Sequence, residues 1–165
     1  MTVPRRLSRS AAAAATLLAA GMLTSCGDNF GAQTDQIYNP AVGVNNRNGA
    51  VYVLNALIVS GTNGSGTVVA TLVNENQNQP DRLISVDAAN PRNQDITGKV
   101  FGPTTIPAGG MLNLANSGGA TVRGQTVAPG SFVPLRFTFA HAASAVVNVP
   151  VEPHSDPDYS HVPLP

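Results

Sequence analysis

The stretch FVPLRFTFA, residues 132–140, decides the fold class. Val133, Leu135, Phe137 and Phe139 fall on one side of an extended chain, with Pro134, Arg136 and Thr138 on the other. That is the period-two pattern of a half-buried strand. The pattern returns at residues 145–151, where Ala145, Val147, Val149 and Val151 oppose Asn148 and Pro150. Between the two, Ala140-His141-Ala142-Ala143 reads as a hairpin turn with His141 facing solvent.

Working outward, AVYVLNALIVS (residues 50–60) is continuous enough for a central strand. It leads through Gly61-Thr62-Asn63-Gly64-Ser65-Gly66 into TVVATLVN (residues 67–74). The connection is rich in residues that tolerate positive φ, so a hairpin is predicted. Leu83–Val86, Gly98–Phe101, Met111–Leu114 and Ala120–Val127 add shorter strands. From residue 26 onward Val, Ile and Thr number 33, against 12 for Leu, Met, Lys and Glu together, a balance that favours strands over helices. Seven or eight antiparallel strands between residues 50 and 151 predict an all-β, Greek-key β-sandwich of immunoglobulin-like or cupredoxin-like size.

The flanks read differently. Arg5, Arg6 and Arg9 form a positive region ahead of the apolar stretch Ala11 to Leu23, which is shorter than the roughly 20 residues that span a bilayer. Residues 1–25 are therefore predicted to be a signal peptide. It closes on Leu23-Thr24-Ser25-Cys26, which resembles the bacterial lipobox. Cys26 is then the lipidation site and the mature N-terminus, and two or more acyl chains give stable anchoring where one is marginal. Arg5-Arg6 suits an ordinary positive region and, more loosely, a twin-arginine signal. Residues 26–49 are read as lipidated Cys and tether, with Ile37 to Val44 an edge strand. Residues 152–165 carry Pro153, Pro157, Pro163 and Pro165 and are read as an extended, flexible tail.

Composition excludes several functions. Nine Lys+Arg balance nine Asp+Glu, and only 11% of residues are charged, so no basic face exists to neutralise phosphates and no nucleic-acid partner is expected. Removal of residues 1–25 leaves six basic against nine acidic residues, and a weakly acidic domain is not held on an anionic membrane by charge. With 5% aromatics and no Trp, a stacking platform is not expected either. Cys26, the single cysteine, leaves no intramolecular disulfide, thiolate zinc site or thiol catalysis.

For hydrolysis the one base inside the domain is His141, and no Gly-x-Ser-x-Gly elbow accompanies it. Asp81, in Pro80-Asp81-Arg82, is good turn chemistry that satisfies loop backbone groups. No catalytic residues and no cofactor are predicted, so the chain is read as not an enzyme. His154 and His161, flanking Asp156, Asp158 and Tyr159, are the metal candidates, because imidazole with carboxylate suits Zn²⁺ or Cu²⁺. The run Asn74, Asn76, Gln77, Asn78, Gln79 offers an uncharged hydrogen-bonding surface.

Several of these segments resemble the periplasmic copper chaperone (PCu(A)C) family. They are Val73-Asn74, then Pro80-Asp81-Arg82-Leu83-Ile84-Ser85-Val86, Ile106-Pro107-Ala108-Gly109-Gly110, Phe137-Thr138-Phe139 and Val149-Pro150-Val151. More closely, they resemble actinobacterial envelope lipoproteins that share its sandwich. The likeness covers residues 50–151 in order and implies the sandwich and an envelope setting. It implies no copper site on particular residues. The family's His-x-Met follows a Gly-Gly turn, and here Ala120-Thr121-Val122 follows Gly118-Gly119. Met111, the only methionine after residue 25, is expected to fill a core gap.

The function expected from the sequence is a lipid-anchored, non-enzymatic interaction or accessory module. It sits on the extracytoplasmic face of the cell membrane and meets a partner protein of the envelope. The alternative is an extracytoplasmic copper chaperone with atypical ligands drawn from Met111, His141, His154 and His161.

Overall fold

A computed structural model describes residues 42–61, 63–90, 95–117 and 119–165. Ten strands follow in order: β1 (Val44–Asn46), β2 (Val51–Ser60), β3 (Ser65–Asn74), β4 (Asp81–Ala88), β5 (Thr97–Val100), β6 (Thr105–Ile106), β7 (Met111–Asn113), β8 (Ala120–Arg123), β9 (Phe132–Phe139) and β10 (Ala145–Pro153). One helical turn, α1 (Leu114–Ser117), joins β7 to β8. Among the described residues no helix is long and apolar enough to cross a membrane.

The all-β expectation holds, and the strand read most confidently from alternation is the most regular. Along β9 Val133, Leu135, Phe137 and Phe139 are buried, because each inward side chain removes apolar area from water on one face of the pleat. The Ile37–Val44 edge strand falls mostly outside the described residues; what is seen is β1, which begins at Val44. The two-residue β6, too short to carry a periodic signal, is an addition to the expected set.

Strands neighbour one another in the order β5-β8-β3-β2-β10-β9-β4-β6, with β1 also on β2 and β7 also on β3. The sequence reading had every pair antiparallel, and one is not. Strand β10 is antiparallel to β9 over Ala145–Pro150, then parallel to β2 where Val151, Glu152 and Pro153 meet Ile58, Val59 and Ser60. One continuous strand thus belongs first to the β4-β9 side and then to the β2-β3 side, enclosing a core that includes Val53, Ile58, Leu72, Val86, Leu135 and Phe137.

At the opposite edge β5 closes against β4. A Cβ on Gly98 would lie 1.5 Å from the carbonyl oxygen of Val86, so only glycine permits this approach.

The segment after β10 departs from the extended tail read in the sequence. The strand runs through Pro153, and residues 154–162 fold back in successive turns, with Asp156 N–H donating to Pro153 O, Tyr159 N–H to Asp156 O and Val162 N–H to Tyr159 O. Val162 is only 4% exposed, packed with Leu57 and Val59 of β2 and with Val69 and Tyr159. Glu152 and Pro153, expected in the tail, belong to the β10 ladder, and the residues after them form turns that bury one valine and half-bury one tyrosine.

Candidate functional site

Asp81 opens β4 directly after Pro80, a residue that fixes φ and donates no hydrogen bond. Its carboxylate is 6% exposed and spans the sheet edge to the β9–β10 turn. Oδ1 accepts from the N–H groups of Arg82 (2.7 Å), Ala140 (3.0 Å) and His141 (3.1 Å), and Oδ2 accepts from Ala142 N–H (2.8 Å). Burial by itself raises this carboxyl's pKa, but the four N–H donors of Arg82, Ala142, His141 and Ala140 outweigh it and hold the group below its ordinary value. The sequence reading of Asp81 as a loop-satisfying residue is therefore right in kind. The loop it satisfies lies some sixty positions away rather than beside it.

His141 stands on the rim, 59% exposed, with Nδ1 3.6 Å from Asp81 Oδ1. At that distance the two side chains make no hydrogen bond. The turn position and solvent exposure agree with the sequence expectation. Backbone N–H groups engage both oxygens of Asp81, three on Oδ1 and one on Oδ2, so the carboxylate acts as a structural clamp on the turn that carries His141.

Beside this pair is a cleft of about 150 Å³, also lined by Asn74, Asn76, Gln79 and Pro80. Asn74 is 2% exposed. Its Nδ2 donates to Gln79 O (2.8 Å), and its Oδ1 accepts from Asn76 N–H (3.0 Å). Asn76 Oδ1 in turn accepts from Asn78 N–H (3.0 Å). The amides read in the sequence as a solvated surface thus begin with a buried keystone. The missed signal was spacing: Asn at every second position lets each side chain close a turn on the backbone two residues ahead.

The remaining candidates lie apart. Met111 is not a core filler but 65% exposed on β7. Alternation on this three-residue strand leaves Leu112 half-buried and presents Met111 and Asn113 to solvent. His154 N–H donates to Ser60 O, and its Nε2 lies 3.1 Å from Val162 O; a carbonyl only accepts, so Nε2 carries the proton. His161 is exposed. Among the described residues no three His, Cys, Asp or Glu gather where they could hold a metal. Cys26 and the signal peptide lie outside the described residues.

Ala120-Thr121-Val122 lies on β8. The cleft beside it, about 340 Å³, is lined by Thr97, Lys99, Thr121 and Arg123 among others. Lys99 Nζ sits 4.8 Å over the Phe101 ring. Hydroxyls and two cations do not fit a soft copper cation, which prefers thioether, thiolate or imidazole.

No family description matches the chain, and no curated protein does. Solved structures do. The copper-bound PCuAC domain from PmoF2 is 18% identical, with a TM-score of 0.52 over 67% of this chain and 98% of that one. The apo PCuAC domain from PmoF1 is 20% identical, with a TM-score of 0.50 over 67% and 99%. The apo PmoF2 PCuAC domain is 15% identical, with a TM-score of 0.50 over 64% and 92%. The β-sandwich and the likeness to PCu(A)C domains expected from the sequence are thus present in the fold.

Proposed function

We propose that the chain is a non-enzymatic accessory module, anchored through lipid on Cys26 to the extracytoplasmic face of the cell membrane, with its sandwich presented to an envelope protein partner. The observation that carries the non-enzymatic part is Asp81. Among the described residues the carboxylate nearest His141 clamps a turn through four backbone N–H groups, and at 3.6 Å from the ring it makes no hydrogen bond that would set the imidazole as a base. The anchoring part rests on the arginine-led apolar segment and Leu23-Thr24-Ser25-Cys26.

Palmitate labelling with membrane fractionation tests the anchor. Wild-type protein is expected to take label and pellet with membranes, and Cys26→Ser to do neither. Labelled or membrane-bound Cys26→Ser protein overturns it.

A second reading is a copper chaperone with atypical ligands. It is favoured by the copper-bound neighbour, and Met111, His141, His154 and His161 are its candidate ligands. Anaerobic Cu(I) titration against a chromophoric chelator separates the two readings. Tight one-to-one binding that survives His154→Ala and His161→Ala supports a chaperone site in the sandwich; no competition with the chelator leaves the accessory module.

A further inference from the structure

Strand β8 lies between β3 and β5, and its buried residues fix which way the others point. Ala120 and Val122 are in the core, so Thr121 and Arg123 face outward. On β5, Val100 packs against the same core, which turns Thr97 and Lys99 outward beside them. The register sets Thr97 opposite Arg123 and Lys99 opposite Thr121. Arg123 and Lys99 are therefore diagonal neighbours of an antiparallel pair, their roots about 7–8 Å apart, and side chains of that length can converge on one small ion. These residues line the cleft of about 340 Å³, with Pro165 at its margin.

Charge sets this cleft apart. From residue 26 onward the chain has six basic and nine acidic residues, yet two of the six, including the single lysine, meet here. No acid occupies a position that pairs with either, and among the described residues neither makes an ion pair. Asp95, which shares a neighbouring cleft with Arg123, accepts instead from Gln125 N–H (3.2 Å). Lys99 Nζ lies over the Phe101 ring, a contact that places the ammonium without neutralising it. Close backbone contact fixes both strands. Gly98 lets β5 close on the Val86 carbonyl, and a Cβ on Gly124, just past β8, would lie 2.8 Å from Asp95 O.

We propose that the outer face of β5 and β8 is a binding site for a phosphate group. Arg123 offers a planar fork of donors and Lys99 a compact charge, while the hydroxyls of Thr97 and Thr121 add one donor each. Four donor groups outnumber the two oxygens of a carboxylate and suit the several oxygens of a tetrahedral phosphate. The cleft also leaves room for a small group that carries the phosphate. Free phosphate and a phospholipid headgroup present the same chemistry, and the test separates them. The site depends neither on lipid at Cys26 nor on a copper ligand, so it stands or falls apart from both functional readings.

The full chain carrying Cys26→Ser, which removes the acyl acceptor, is isotope-labelled and titrated with inorganic phosphate, then with chloride at matched ionic strength. Phosphate is expected to shift the amide resonances of residues 97–99 and 121–123 saturably, and chloride to leave them in place. Lys99→Gln and Arg123→Gln are each expected to weaken binding about ten-fold, while Arg47→Gln, beside β1, leaves it within about two-fold. Shifts that chloride reproduces, or phosphate binding that Lys99→Gln and Arg123→Gln leave intact, overturn the site. Flotation with phosphatidylglycerol vesicles, against phosphatidylcholine vesicles as control, identifies the source. Binding to the former that both substitutions abolish assigns a headgroup; phosphate binding without flotation assigns a soluble ligand; neither kind of binding refutes the proposal. Should the substituted chains fail to fold, the shift map decides, because phosphate shifts confined to residues other than 97–99 and 121–123 refute it as well.

Discussion

Two turns tie the ends of β10 to the rest of the molecule, and they do so by opposite physics. Before β10, residues 140–142 are gathered by a single buried carboxylate that accepts four N–H groups. After it, residues 154–164 are laid on β2 and β3 by Val162, Tyr159 and Leu164, helped by the Thr67 hydroxyl and the His154 ring. The first is charge-assisted, concentrated in one side chain and responsive to protons. The second is mainly apolar and spread over several side chains. A polar clamp fails all at once when its one acceptor is lost, whereas an apolar seat weakens by increments.

The contrast breaks most sharply at Asp81. Asp81→Ala removes the buried acceptor of four backbone N–H groups in a partly exposed turn and is expected to cost about 2–3 kcal/mol, read as a lower denaturant midpoint with unchanged slope. A loss near zero would mean that the turn stands without its acceptor.

On the apolar side, Val162→Ala removes two methyl groups from a small nest whose outer wall can relax. About 1–2 kcal/mol is expected by the same denaturation. Thr67→Val, nearly isosteric and lacking the hydroxyl, is expected to cost about 1 kcal/mol.

Acid sharpens the comparison further. The folded carboxyl of Asp81 titrates below its ordinary value of 3.8, so its contribution is complete above that pH. It is lost as pH falls below 3.8 through the lower folded value, because the unfolded chain takes up the proton first. Wild type is therefore expected to lose stability in that window, Asp81→Asn to lose less over the same range, and Val162→Ala to follow the wild-type slope. An Asp81→Asn profile as steep as wild type would assign acid sensitivity to another group. The smallest effect belongs to Met111→Ser, expected within about 0.5 kcal/mol because that side chain lies in solvent.

How much of this was legible depended on whether the signal was local. Strand β9 was readable residue by residue, since alternation is written in the four positions that face the core. Asp81 was readable as turn chemistry, but Ala140, His141 and Ala142, which it holds, carry no mark of that role in the sequence. The parallel meeting of Val151 with Ile58 was hidden for the same reason: pairing between distant segments is a property of the closed sandwich. Met111 misled because a lone thioether among strands suggests a core, while only the register of β7 against β3 tells which face it takes. Residues 154–164 misled because a proline-rich segment that joins no ladder can still be buried by its side chains. Lys99 and Arg123 come together in the cleft beside Ala120-Thr121-Val122 through the pairing of β5 with β8, which no local pattern announces.

Strand β10 also sets a timetable. The β2–β3 hairpin and the β4 segment are made early in the chain, but the strand that joins their two sides is the last one, with Ile58 waiting for Val151. Closure therefore depends on contacts of large sequence separation, the kind that slow folding. A chain delivered N-terminus first stays an open, unjoined pair of half-sheets until its last strand arrives. An early-folded β2–β3 unit would carry the bare Leu57 and Val59 face throughout that wait, which makes the exposed intermediate, rather than the finished sandwich, the species most in need of protection from aggregation.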